Sequence, residues 1–294
     1  MISNLKKIAR FLEKQILWCL PHKMAHKIFY YRKMKKKLNL KEPKDLNEKI
    51  QYLMLNKYGK RETELADKYK VRNYIKQKGY EDLLPRLYGT YQKVDDIDYE
   101  KLPNQFVLKA NNGCGGVIIC LDKNKLNIKE CNRNLKKALK KNFAKESLEY
   151  HYKNIKPLII CEEYINDGTG KNPIDYKINC FDGNAKCILV CSDRDKDMRL
   201  RYYDLNWNYL DYTAKELKSK KEFEKPKNLK EMIKIAEDLS KDFPYVRVDL
   251  YNAKGKIYFG ELTFTPSAGM IHSMDQNGLN ELGKLINLEK INWI

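Results

Sequence analysis

Val246-Arg247-Val248-Asp249-Leu250-Tyr251 is followed, past Lys254-Gly255, by Tyr258-Phe259-Gly260-Glu261-Leu262-Thr263-Phe264-Thr265-Pro266-Ser267. Both runs alternate apolar residues with polar ones, the period-two pattern of strands that bury one face. Lys254-Gly255 reads as the turn of a hairpin. Alternation places Arg247, Asp249 and Tyr251 on one face of the first strand and aligns Glu261 with Thr263 on the second. If the hairpin closes at Lys254-Gly255, Asp249 and Glu261 lie on adjacent strands within reach of one cation. Two carboxylates projecting from apolar strands repel unless they are paired or metal-bound. Magnesium suits such a pair, because it takes few protein carboxylates and completes its shell with water and substrate phosphates. Arg247 would neutralise charge developing on a transferring phosphoryl group. A structural Arg–Asp–Glu pairing across an exposed hairpin face reads the same residues differently.

A second cluster lies upstream. Phe106-Val107-Leu108 is a strand that presents Lys109, Asn111 to Gly116 a glycine-rich turn, and Val117 to Leu121 a second strand. Glycines let successive backbone N–H groups converge on an anion, and Lys109 adds a point charge for a phosphate oxygen. The lysine precedes the glycines and no Gly-Lys-Ser/Thr follows, so this is not a Walker loop. An ordinary glycine hairpin with a surface lysine is the plainer reading. Between the clusters, Pro157 to Ile165 is an apolar strand ending in Glu162-Glu163-Tyr164. Such a crossing strand offers backbone groups to an adenine edge and a carboxylate to ribose hydroxyls. Tyr176 to Phe181 pairs with Ala185 to Ser192 across Asp182-Gly183, and Lys177 supplies another cation.

The remaining pattern is mostly helical. Residues 1 to about 42 read as helix with Lys35-Lys36-Lys37 as a charged connector. Asp45 caps a further helix, another covers about Glu62 to Lys78 and closes at Gly79, and a lysine-rich helix spans about Lys129 to Tyr150. The segment from Asp82 to Lys101 is mixed. The apolar run Ile16 to Leu20 is too short to span a bilayer, and no small-residue cleavage site follows it. Residues 1–37 are basic and amphipathic, so they either contact anionic membrane or pack on the body of the protein. Eight cysteines carry no CxxC spacing and several sit in apolar runs, which favours a reducing, cytoplasmic setting. The formal charge of +19 over 294 residues concentrates anionic partners without choosing among them. Basic residues are spread over the chain without a zinc-finger, RNP-like or helix-turn-helix signature, which argues against nucleic acid.

The order of these pieces resembles the ATP-grasp superfamily, and more narrowly its TupA-like branch, linked to teichuronopeptide and capsular polysaccharide synthesis. Leu46-Asn47-Glu48-Lys49-Ile50-Gln51, Leu65-Ala66-Asp67-Lys68-Tyr69, Leu102 to Lys109, Cys161-Glu162-Glu163-Tyr164, Asp175-Tyr176-Lys177, Ser192-Asp193-Arg194, Arg247-Val248-Asp249 and Gly260 to Pro266 carry it. The resemblance runs from about residue 38 to near the end. It implies an α+β ATP-grasp fold, two lobes with antiparallel sheets sandwiching ATP, after an N-terminal helical segment. The corresponding division is 1–45 (basic helices), 46–105 (lead-in), 106–165 (small lobe) and 166–294 (large lobe). Carried residue by residue, it implies that Lys109 and Lys177 contact ATP phosphates beneath a loop of Gly113, Gly115 and Gly116. Glu162, Glu163, Tyr164 and Ile165 would hold adenine and ribose, mainly through backbone. Asp249 and Glu261 would bind one or two Mg2+ ions, and Arg247, with Lys109, would act in catalysis by steadying an acyl phosphate.

Two departures stand out. Thr263 occupies the place where the superfamily often has an asparagine metal ligand, and Cys114 stands where a small residue or serine is usual. The implied activity is an ATP- and Mg-dependent carboxylate–amine ligase that forms ADP. Its acid would be a uronic acid of a surface polysaccharide or nucleotide-linked precursor, and its amine an amino acid or amino alcohol. Arg194, Ser267 and His272 are candidates for substrate contact, although His272 serves equally as a structural histidine. The rival readings are a glycosyltransferase-like polysaccharide enzyme, a nucleic-acid-binding module, or a membrane scaffold acting through residues 1–37.

Overall fold

The computed structural model of the protein describes residues 2–168, 173–192, 199–219 and 222–289. Helices α1 (Ile2–Cys19) and α2 (His22–Met34) open the chain and part at Pro21. The second ends at Lys35 in a left-handed conformation, φ 55°. Helix α3 (Leu46–Asn56) starts at Asp45, whose carboxylate accepts the Glu48 N–H at 2.9 Å, as the capping pattern predicts. The single helix expected over 62–78 is two, α4 (Lys60–Ala66) and α5 (Val71–Gln77). Asp67 breaks it, because its carboxylate takes the N–H groups of Tyr69 (2.9 Å) and Lys70 (3.3 Å). A local side-chain acceptor competes with the helix ladder for those donors. Among the described residues no helix is long and apolar enough to cross a membrane.

A four-stranded antiparallel sheet follows, built from β1 (Leu87–Tyr91), β2 (Phe106–Ala110), β3 (Val117–Cys120) and, after helices α6 (Ile128–Lys140) and α7 (Phe143–Ser147), β4 (Ile159–Glu163). Its order is β1-β4-β2-β3. The helix expected over 129–150 breaks at Asn142, whose side chain caps α7 by accepting the Lys145 N–H at 3.0 Å. Cys131 and Leu135 of α6 pack on Phe106, Leu108, Ile159 and Cys161. Val107 and Lys109 therefore lie on the opposite face.

That second sheet comprises β5 (Asp175–Phe181), β6 (Asn184–Ser192), β7 (Arg199–Tyr203), β8 (Tyr209–Leu210) and, after helix α8 (Leu229–Ser240), β9 (Val246–Ala253) and β10 (Lys256–Thr263). It is antiparallel in the order β10-β9-β5-β6-β7-β8. Both expected two-residue turns are present, with Asp182-Gly183 at φ 46° and 76° and Lys254-Gly255 at 54° and 82°. Positive φ at both positions matches the twist of the flanking strands. Strands β1, β7 and β8 are additions to the elements expected from sequence. Helix α9 (Gln276–Lys284) closes the described chain.

The two faces of the larger sheet differ, and that difference positions the site. On one face, Met232, Ile235, Ala236 and Leu239 of α8 bury Ile178, Ile188, Val190, Val246, Val248, Leu250 and Leu262. On the other, α3 and α9 cover only the β6–β7 half, where Leu46, Ile50, Leu53, Leu279 and Leu282 meet Cys187, Leu189, Leu200 and Tyr202. Each such aliphatic side chain contributes roughly 1.5–3 kcal/mol by leaving water. The β5–β9–β10 half of that face carries charge instead. Residues 46–105 serve both sheets, since α3 packs on the large one and β1 completes the small one. The eight cysteines are free, and six of them are buried.

Asn111 ties the small sheet to the α4–α5 break. Its amide donates to Asp67 Oδ1 (2.9 Å) and the Lys156 carbonyl (3.1 Å), and its Oδ1 accepts the Leu158 N–H at 2.7 Å. Asn111→Leu strands these buried partners and is expected to cost roughly 3 kcal/mol. Urea unfolding measures it, and an unmoved midpoint would show that the network does not hold the sheet.

Candidate active site

The charged half-face depends on a bulge. Tyr258 pairs with Tyr251 and Phe259 with Leu250, so a regular ladder would set Gly260 opposite Asp249 and Glu261 opposite Val248. Glu261 would then point into the α8 core. Instead the register slips between Phe259 and Glu261, Glu261 pairs with Asp249, and Thr263 pairs with Arg247. An extra residue on one strand has moved a carboxylate from one face to the other. The residue is a glycine for a steric reason: a Cβ there would lie 2.9 Å from the Asp249 carbonyl oxygen.

Around that pair the charges interlock. Arg247 donates to both Asp249 oxygens at 2.6 and 2.7 Å, and its Nη2 lies 3.2 Å from the Thr263 hydroxyl and 3.5 Å from Glu261 Oε1. Thr263 Oγ1 donates to Glu261 Oε1 at 2.7 Å. Lys177, opposite Asp249 on β5, donates to Asp249 and sits 2.9 Å from Asp175 Oδ2. Asp249 is buried, whereas the Glu261 side chain keeps 43% of its surface open to the cleft. Enclosure by protein raises the Glu261 carboxyl, but Lys68, Lys177 and Arg247, with the Thr263 hydroxyl, outweigh it and hold the group at about 2. The donor set toward the cleft is two carboxylates and a hydroxyl, hard oxygens that suit Mg2+. No group of three or more His, Cys, Asp or Glu side chains is placed to hold a metal among the described residues. A divalent ion here would therefore take most of its shell from water and phosphate oxygens.

The small sheet contributes a cation held by a carboxylate. Glu162 accepts from Lys109 Nζ at 2.8 Å and from Arg72 Nη1 at 2.7 Å, and all three side chains are largely enclosed. The expected adenine role of this strand narrows accordingly. β4 is a central strand, so the backbone of Glu162 is taken up by Leu87 and Val107, while the Glu163 N–H donates to the Arg86 carbonyl at 2.8 Å. Tyr164 and Ile165 follow the end of the strand. The glycine loop sits beside Lys109, and Gly116 adopts φ 68° with no room for a side chain, since a Cβ would fall 2.5 Å from Ala138. Gly113 to Gly116, Lys137, Lys141 and Phe143 line a cavity of about 350 Å³.

Lys68 joins the two halves, because its Nζ donates to the Gly113 carbonyl at 2.5 Å while its charge acts on Glu261. Glu149 lies beneath and accepts from the Thr265 hydroxyl. Burial pushes its carboxyl up to about 7, against hydrogen bonds from Thr265 and Ser147 and with the Glu261 charge adding to the rise. Thus Lys109 and Glu162 form one group, and Lys177, Arg247, Asp249, Glu261 and Thr263 another. Ser267 and His272 are exposed on the chain that leaves β10. Arg194 lies outside the described residues. Lys68, Arg72, Glu149 and Asp175 are site residues to which the sequence reading gave no role. Asp175 had a signal, since strand alternation puts it on the face of Lys177 two residues on.

Two antiparallel sheets, a lysine with a glycine loop on one and an acidic pair on the other, define an ATP-grasp fold. The chain belongs to the TupA-like ATP-grasp family, whose model matches residues 48–287. Among solved structures it is similar to the D-alanine–D-alanine ligase of Bacillus anthracis (21% identity, TM-score 0.44, covering 75% of this chain and 63% of that one). It is also similar to the L-amino acid ligase of Bacillus licheniformis (16%, TM-score 0.49, covering 82% and 55%). A further similar structure is the ATP-grasp ligase PsnB complexed with its minimal precursor (12%, TM-score 0.43, covering 77% and 61%). The chain spans less than two thirds of each of these proteins' own lengths. No curated protein matches it.

The geometry makes two predictions. Gly260→Ala forces the Asp249 carbonyl and the bulge apart, and Mg·ATP affinity is expected to fall about tenfold or more, roughly 1.4 kcal/mol. Calorimetric titration reads it, and wild-type affinity would refute the bulge argument. Glu149 holds a proton in the folded state that the unfolded chain, with a carboxyl near its ordinary 4.5, has released. That stability is full below pH 4.5 and is lost as pH rises through about 7. Glu149→Gln should flatten the decline in Tm over this window, and parallel Tm–pH curves would count against it.

Proposed function

We propose that this protein is an ATP- and Mg-dependent, ADP-forming ligase that activates a carboxylate as an acyl phosphate and passes it to an amine. The observation that carries this reading is the pairing of Asp249 with Glu261 across the bulge, beside Lys177 and Arg247. Lys109 and Lys177 orient the triphosphate, and Lys68 and the glycine loop close over it. Asp249 and Glu261, with the Thr263 hydroxyl, would hold Mg2+, which supplies charge neutralisation to the phosphates when bound. Arg247 stabilises negative charge on the transferred group. The γ-phosphoryl passes to a carboxylate oxygen and ADP leaves; an amine then attacks the acyl carbon, releases phosphate and leaves an amide. The protein's part is positioning and electrostatics.

The acceptor in this proposal is a uronic acid of a surface polysaccharide or its nucleotide-linked precursor, and the amine an amino acid or amino alcohol. Membership of the TupA-like family and the net charge of +19 support an anionic acceptor. So does the basic flank of α6, where Lys129, Arg133, Lys136, Lys137 and Lys140 line one surface. In this proposal Ser267 and His272, which are exposed beyond β10, meet the acceptor.

The test is ADP and phosphate release against a panel of uronic acids and amines. Turnover is expected only with both co-substrates, and Lys109→Ala and Glu261→Gln should each lower it about a hundredfold, roughly 2.7 kcal/mol. Consumption of a nucleotide sugar without ADP would replace this reading with sugar transfer.

A further inference from the structure

The chain leaving β10 adopts a conformation that needs support. Ser267, Ala268 and Gly269 are left-handed in succession, with φ 52°, 57° and 67°. For serine and alanine that conformation costs roughly 1–2 kcal/mol each. The N–H groups of Ala268 and Met270 close back on the Thr265 and Ser267 carbonyls at 2.9 and 3.1 Å, leaving the Ala268 and Gly269 carbonyls to partners elsewhere. Gln51 of α3 supplies them, its amide nitrogen donating to Ala268 O at 2.8 Å and Gly269 O at 3.2 Å. Asn47, one turn earlier, accepts the Ile271 N–H at 2.8 Å and donates to the Ile271 carbonyl at 3.3 Å.

Gln51 is itself aimed. With its nitrogen on two carbonyls, its Oε1 is left to accept, and it lies 2.6 Å from His26 Nδ1. His26 therefore carries its proton on Nδ1. Nε2, bare in that tautomer, faces the Leu148 carbonyl oxygen at 3.1 Å as one acceptor beside another, so the ring's one donated bond is the bond to Gln51. Leu148 is left-handed too, φ 59°, and precedes Glu149, whose carboxylate accepts from Thr265 at the head of the strained segment. His26 and Gln51 are each only 2% exposed. Packing follows the same path: Tyr30 of α2 meets Met270 and Ala268, while Ala25 meets Leu148.

We propose that His26 is a positioning residue for the acceptor loop, holding residues 265–270 through Gln51. Helix α2 is thereby a working part of the site, although it lies before residue 48, where the family match begins. The loop's assignment to the acceptor rests on the ligase reading above; the mechanical link does not.

Hydrogen exchange and kinetics on the full chain separate the two. His26→Leu removes the ring's bond to Gln51, and Gln51→Met removes both loop contacts while leaving His26. His26→Asn keeps a donor near the Nδ1 position. Exchange at the amides of residues 267–271 should quicken about tenfold or more in His26→Leu and Gln51→Met, and return toward wild type in His26→Asn. If the enzyme turns over, acceptor KM should rise about tenfold, while kcat and Mg·ATP affinity stay within about twofold; a tenfold change is roughly 1.4 kcal/mol. Exchange as slow as wild type in both disrupting variants overturns the proposal. So does faster exchange spread evenly over the chain, or His26→Asn behaving like His26→Leu. A wild-type protein without ligase turnover sinks the functional reading alone, because the exchange result still stands or falls by itself.

Discussion

One extra residue in β10 decides whether this protein has an acidic pair at all. The hairpin turn at Lys254-Gly255 fixes the register on its near side, and the slip at Gly260 shifts everything beyond it by one. Because side chains alternate with period two, that shift sends Glu261 and Thr263 to the cleft and Leu262 to the core under α8. Energetics agree with geometry. Without the bulge, Leu262 would face the cleft and Glu261 would enter a hydrocarbon environment that strongly disfavours its charge. The core therefore enforces the bulge, and the bulge creates the site.

The cluster so formed is internally neutralised. Asp175, Asp249 and Glu261 are met by Lys177, Arg247 and Lys68, and Glu162 is met by Lys109 and Arg72. Four of these five cations act on the nucleotide or the transferred phosphoryl group in the proposed reaction. Holding them against carboxylates keeps long, flexible side chains ordered in one place, so less conformational freedom remains to be lost when phosphate arrives. A divalent ion entering at Asp249 and Glu261 would compete with Arg247 and Lys177 for the same oxygens. It would thereby free those cations toward the nucleotide. Binding of metal and phosphate would in this way be an exchange of partners, with little net charge left bare at any stage.

Much of this was legible in the sequence, and what was not has definable causes. Both glycine-containing turns, the Asp45 cap and the strand face shared by Arg247 and Asp249 follow from local rules, and the structure agrees. The broken helices were not seen because Asp67 and Asn142 sit inside periodic, charged runs; a side-chain acceptor overrides periodicity only where the fold lets it. Asp67 does so in partnership with Asn111, more than forty positions away. Gly260 could be read as a bulge signal, yet its consequence for Glu261 emerges only when the register is counted from the turn. Lys68, Arg72 and Glu149 reach the site from segments whose approach depends on tertiary packing.

The buried polar side chains follow a common logic. Asn47, Gln51, Asp67 and Asn111 each satisfy backbone groups of irregular segments, and His26 aims Gln51. Loops next to a ligand cleft cannot give all their amides and carbonyls to a ladder, and those shielded from water must find side-chain partners. The amides among them do this without adding fixed charge near a triphosphate site. The cost is that each loop depends on residues far away in sequence, so substitutions in α2 or α3 would reach the cleft without touching a ligand. On this view the segment from Thr265 to Ile271 is a fixture of the scaffold, and its left-handed turn is held in shape before any acceptor enters.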